Sequence, residues 1–176
     1  RTLGDRQAPL LGVTAAFVFA AQMLNFPIAG GTSGHFLGAA LAAILLGPAA
    51  AGLIMAVVLV AQCLGFADGG LTALGANIFN MGVIGGLGGG LLFRGLRAVL
   101  PRTRATLLGA AAVAAWFSVV TAALACAAEL VLSGKLPGLT WFVALSAMGL
   151  THAVIGVGEA VITVSVLSAV LAARPD

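Results

Sequence analysis

No Asp, Glu, Lys or Arg occurs between Gln7 and Ala67. A soluble core does not run so long without charge, whereas crossing the bilayer hydrocarbon takes about 20 apolar helical residues. The rest of the chain agrees: 61% of residues are hydrophobic and 7% charged, against roughly 25% charged in an ordinary soluble domain. Gly, Ala and Pro are too abundant, and alternation of β-branched residues too weak, for a membrane barrel. The uncharged run is interrupted by Gly30-Gly31-Thr32-Ser33-Gly34-His35, a polar segment ending in one of two histidines. Irregular backbone at membrane depth has to be buried in protein or line a cavity, because lipid cannot satisfy its N–H and C=O groups.

Apolar length predicts an all-α integral membrane protein, a compact bundle of about six transmembrane segments in one domain spanning residues 1–176. The segments run from about Pro9 to Phe26, Phe36 to Leu46, Pro48 to Phe66, Leu71 to Leu96, Ala105 to Leu132 and Leu139 to Ala172. A loop is expected from Pro27 to His35. The second segment, stopped by Gly47-Pro48, reaches only about 17 Å at 1.5 Å per residue and is expected to be a half-length helix. Arg94, Arg97, Arg102 and Arg104 crowd one connector. Placing it in the cytoplasm also puts Arg1, Arg6 and Arg174 inside and leaves Lys135 outside, so both ends are expected to be cytoplasmic. The His35 loop, Asp68 and the Lys135 loop then share the outer face. Arg1 in place of an initiating Met predicts a chain lacking an N-terminal part. The arginines serve orientation, and nucleic acid is not an expected partner.

Several polar residues stand out against the apolar background. His35 is a metal ligand or a hydrogen-bonding anchor for its loop; one imidazole alone does not make a site. His152 and Glu159 lie seven apart and share a helix face. Ionisable groups at that depth are functional candidates by default, although a structural polar pair reads equally well. Asn77 and Asn80, three apart, either support the His35 loop or bond a neighbouring helix. Glu129 reads as solvated. Cys63 and Cys126 read as buried free thiols. Gly85-Gly86-Leu87-Gly88-Gly89-Gly90 has no preceding strand and no Lys, so it is not a nucleotide loop. Gly82/Gly86 and Gly85/Gly89 instead predict close helix packing, and Ala16/Ala20 and Ala39/Ala43 give smooth faces for a partner or for neighbouring helices. Gly31-Thr32-Ser33-Gly34 has the GxSG form of a rhomboid-type intramembrane serine protease, but His152-Ala153-Val154-Ile155-Gly156 is one residue out of step with the HxxG expected there. A metal-independent scaffold built on small-residue packing is a further alternative.

Three segments carry a family resemblance: Ala20-Ala21-Gln22-Met23-Leu24-Asn25-Phe26-Pro27-Ile28-Ala29-Gly30-Gly31-Thr32-Ser33-Gly34-His35, Leu71-Thr72-Ala73-Leu74-Gly75-Ala76-Asn77-Ile78-Phe79-Asn80-Met81, and Thr151-His152-Ala153-Val154-Ile155-Gly156-Val157-Gly158-Glu159-Ala160. In that order they resemble the substrate-capture membrane subunit of cobalt and nickel energy-coupling factor transporters, the CbiM/NikM family. The resemblance implies an importer subunit, not an enzyme, that binds cobalt or nickel at its outer face as transported substrate and uses no organic cofactor. It implies a coupling membrane subunit, a pair of cytoplasmic ATPases and a small accessory membrane subunit as partners. It also implies metal ligands from an N-terminal Met-His pair, which this chain does not show, and from a histidine at the position of His35. Thr32 and Ser33 are expected to orient that imidazole, and Asp68, Asn77 and Asn80 to steady its loop. The resemblance assigns no role to His152 or Glu159.

Overall fold

A computed structural model describes residues 7–28, 32–134, 138 and 140–173. Among the described residues six helices lie in chain order: α1 (Gln7–Gln22), α2 (Ala39–Leu46), α3 (Pro48–Phe66), α4 (Leu71–Val99), α5 (Arg104–Ser133) and α6 (Trp141–Ala173). The last four are long and apolar enough to cross a membrane. Lys135, Gly30 and Gly31, with Arg1, Arg6 and Arg174, lie outside the described residues. The expected orientation of the ends leans on several of these.

The segment expected to be a loop is a hairpin. Strand β1 (Asn25–Ile28) pairs antiparallel with β2 (Thr32–His35), and Asn25 stands opposite His35. Neither strand shows the apolar–polar alternation that marks a half-buried strand, and Pro27 and the glycines read as turn residues. Here the backbone N–H and C=O groups of the two strands pair with each other.

Strand β2 and helix α2 follow one another through the three residues from Phe36 to Gly38. The junction is Gly38, whose left-handed φ of 70° turns the chain from strand to helix. A Cβ there would meet Val18 Cγ2 at 2.9 Å. Ala39 to Ala43 are all buried, so α2 runs through the interior with no lipid-facing side over that stretch. At its far end Gly47, with φ 97°, hands over to Pro48 in the first turn of α3, where Pro loses no hydrogen bond.

Helix α4 is the central partner. Between Ile78 and Gly88 it widens to π-helical turns, a geometry often found near functional sites. Its glycines work in two pairs. A Cβ on Gly82 or Gly86 would lie 3.6 Å from Gly52 O or 3.5 Å from Ala51 Cβ of α3. One on Gly85 or Gly89 would meet Ser118 of α5 at 3.2 or 3.0 Å, and Ser118 Oγ donates to Gly85 O at 2.8 Å. Close helix packing is therefore what the glycine spacing serves. Of the alanines, Ala39 and Ala43 are buried while Ala16 and Ala20 are exposed on α1.

Helix α6 buries one stripe: Ala144, Met148, His152, Ile155, Gly156, Glu159, Thr163 and Leu167. The three- and four-residue steps keep these on one face. The directions of α3, α4 and α5 put Asp68 and Glu129 at one end of the bundle and Arg94, Arg97, Arg102 and Arg104 at the other. The hairpin occupies the acidic end.

Candidate metal-binding cavity

His35 closes β2 and begins the turn into α2. Its Nδ1 lies 2.8 Å from the Phe36 carbonyl oxygen. A carbonyl can only accept, so Nδ1 carries the proton and the lone pair of the neutral ring is on Nε2. His152 repeats the arrangement, with Nδ1 2.8 Å from the Met148 carbonyl oxygen. A buried helical histidine thus also turns an unprotonated Nε2 away from its own backbone. A Cβ built on Gly34, beside His35, would lie 3.3 Å from His152 Cε1. The absence of a side chain at Gly34 is what lets the hairpin seat against this ring.

Both imidazoles line one cavity of about 280 Å³. Thr32, Ser33, Asp68, Asn77 and Asn80 also line it, so the fold brings together the hairpin, the turn before α4 and the start of α4. Thr32 Oγ1 donates to Met148 Sδ at 3.5 Å, and Ser33 is exposed. Asn77 Nδ2 reaches Gly69 O at 3.4 Å, steadying the Ala67–Gly70 turn. Asn80 Nδ2 donates to Glu129 Oε2 at 2.8 Å. Glu129 is therefore not simply solvated: half-buried, it takes a hydrogen bond from the adjacent helix. No hydrogen bond joins Ser33 to His152, so a serine–histidine dyad is not assembled.

Glu159 stands behind the site, outside the cavity lining. Only 3% exposed, it accepts from Leu37 N at 2.9 Å and Gly38 N at 2.5 Å. Gln22 Nε2 donates to Leu37 O at 2.9 Å. The Leu37 peptide groups are thus held from two helices at once. His152 and Glu159 do share a face of α6, yet they act on different sides of the hairpin–helix junction.

Sequence reasoning passed over several lining residues. Gln62, 4% exposed, was marked only by being the lone amide within the apolar span of α3. Its Nε2 and Asn80 Oδ1 are buried without a hydrogen-bond partner. Met148 and Met81 also line the cavity, and nothing separates them from ordinary core methionines in sequence. Cys126 is half-buried on the cavity wall, whereas Cys63 is buried elsewhere. Among the described residues no cluster of three His, Cys, Asp or Glu comes together. The imidazole pair is the strongest donor set on the wall.

These features define a polytopic helical membrane protein whose polar side chains converge on one imidazole-lined cavity. The chain belongs to the family described as the cobalt uptake substrate-specific transmembrane region, which matches residues 1–176. It is 47% identical over 176 residues to a relative from Archaeoglobus fulgidus provisionally named the fused nickel transport protein NikMN, covering 100% of this chain and 57% of that relative. It is 39% identical over 167 residues to the cobalt transport protein CbiM 1 of Pelobacter propionicus, covering 94% of this chain and 73% of that protein. A crystal structure of a transition metal transporter superposes with a TM-score of 0.89 at 34% identity, covering 99% of this chain and 80% of the other. Family and spans together make this a multi-pass protein of the inner membrane.

Proposed function

We propose that this chain captures cobalt or nickel for an uptake transporter, taking the ion at the outer face through His35 Nε2. The observation that carries the reading is the bond from His35 Nδ1–H to the Phe36 carbonyl at 2.8 Å, which leaves the other ring nitrogen as a donor on the cavity wall. His152 offers a second Nε2 on the same wall. Thr32, Ser33, Asp68, Asn77 and Asn80 supply the polar surroundings, and the remaining metal nitrogens come from a Met-His N-terminus, as the family resemblance implies. A nitrogen-rich, near-planar set suits nickel or cobalt and disfavours tetrahedral zinc.

In this reading the chain performs no catalysis. Energy comes from a pair of cytoplasmic ATPases linked through a coupling membrane subunit, with a small accessory membrane subunit beside them, and the arginine-rich end faces those partners. The test is titration of nickel and cobalt chlorides into the purified full-length protein and its His35→Ala variant. Binding at least tenfold weaker in the variant, about 1.4 kcal/mol, is expected. Equal binding by the two overturns the reading.

A further inference from the structure

The Leu37 N–H and the Phe36 C=O belong to one peptide plane, rigid through amide resonance, with the two groups pointing to opposite sides. Glu159 Oε2 takes that N–H at 2.9 Å. His35 Nδ1–H donates to that carbonyl at 2.8 Å. A single amide therefore carries a carboxylate on one edge and an imidazole on the other. The second carboxylate oxygen takes Gly38 N at 2.5 Å, fixing the next plane as well.

This arrangement has a geometric and an electronic consequence. With the plane clamped, the direction of its carbonyl is set, and with it the tautomer and tilt of the His35 ring. An amide whose N–H donates becomes polarised, so its oxygen accepts more strongly. A stronger acceptor at Nδ1–H makes Nε2 a better electron donor, as a carboxylate does when it touches a metal-bound histidine directly. Two converging N–H groups also explain why a carboxylate stands here. It offers an acceptor to each, whereas the amide of Gln has one acceptor and would turn its NH₂ towards the other donor.

We propose that Glu159 is a positioning residue for His35, acting through the Phe36–Leu37 peptide to hold the Nδ1–H tautomer and present Nε2 to an incoming metal ion. Only the last step rests on the metal-capture reading.

The experiment uses the full-length protein labelled with ¹⁵N-histidine, free of metal, and long-range ¹H–¹⁵N correlation to read ring tautomers. His35→Gln identifies the His35 signals by their loss. The unmodified protein is expected to show His35 as the Nδ1–H tautomer alone, and Glu159→Gln a mixture containing Nε2–H. Glu159→Asp, which keeps the carboxylate one methylene short, is expected to restore part of the native signal. Nickel chloride titration of the same samples is expected to show about tenfold weaker binding in Glu159→Gln. An Nε2–H tautomer in the unmodified protein overturns the proposal even if the variant fails to fold. So does an unchanged tautomer in a folded Glu159→Gln. A tautomer lost with Glu159 in a protein that binds no nickel upholds the positioning and sinks the metal-capture reading instead.

Discussion

The turn from Phe36 to Gly38 has two sides built on opposite terms. Behind it, Phe36 O, Leu37 N, Leu37 O, Gly38 N and Gly38 O all have partners, supplied by His35, Glu159, Gln22 and the first turn of α2. In front, Gln62 Nε2 and Asn80 Oδ1 are buried with none, around a cavity that two imidazoles share. A buried polar group without a partner costs more than a made bond returns. The bonded backbone of the turn is where position is enforced, although the Gln22 amide that holds Leu37 O leaves its own Oε1 buried without a partner. In the reading proposed above, the open groups on the cavity side are bonding capacity for an entering ion.

That contrast can be broken by substitution. The largest loss is expected from Glu159→Leu, which leaves two buried N–H groups without acceptors at about 1–3 kcal/mol each; thermal unfolding in detergent reads it. Next comes Gly90→Ala, whose Cβ would lie 2.8 Å from Ala43 Cβ and 2.9 Å from Pro48 Cγ. Neither neighbour can rotate away, so about 2 kcal/mol of overpacking is expected in the same assay. Gly34→Ala sits on the boundary between the two sides. Its closest contact, Ile155 Cδ1 at 2.6 Å, is the end of a flexible side chain, so a loss of only about 1 kcal/mol is expected. The His152 ring signals should shift in that variant nonetheless, since Cε1 is the next rigid neighbour. The smallest effect belongs to Gln62→Leu, which removes an unpartnered donor and is expected to hold stability within about 0.5 kcal/mol or raise it. If Gln62→Leu destabilises as much as Glu159→Leu, the distinction between the two sides is wrong.

The helices were legible because lipid imposes length. Pro48 to Phe66 emerged with the same ends in sequence and structure, since Gly47-Pro48 and the Ala67–Gly70 turn punctuate it. The hairpin was not legible, because four-residue strands containing Pro and Gly carry no periodic signal. The π-helical stretch was hidden for a related reason. A glycine-rich run gives no apolar stripe whose period could reveal the wider turns. Candidate site residues could be singled out one at a time, as polar groups in apolar surroundings, and His35, His152, Asn77 and Asn80 do meet on one wall. Their partners could not be read. Glu159 bonds backbone N–H groups, which have no sequence signature, and the donor to Glu129 is 49 positions away.

On the proposed function, the separation of charge along the bundle bears on how fast a cation arrives. Among the described residues, Asp68 and Glu129 stand at the hairpin end while every arginine stands at the other. Those two carboxylates outnumber the one lysine, Lys135, expected at the same end, so the balance there attracts a divalent ion. The association rate is therefore expected to fall as salt rises and the field shrinks to about 8 Å at physiological ionic strength. The dissociation rate, set by nitrogen donors inside the wall, should change little. An importer that works on scarce ions would then gain most where the surrounding water is most dilute.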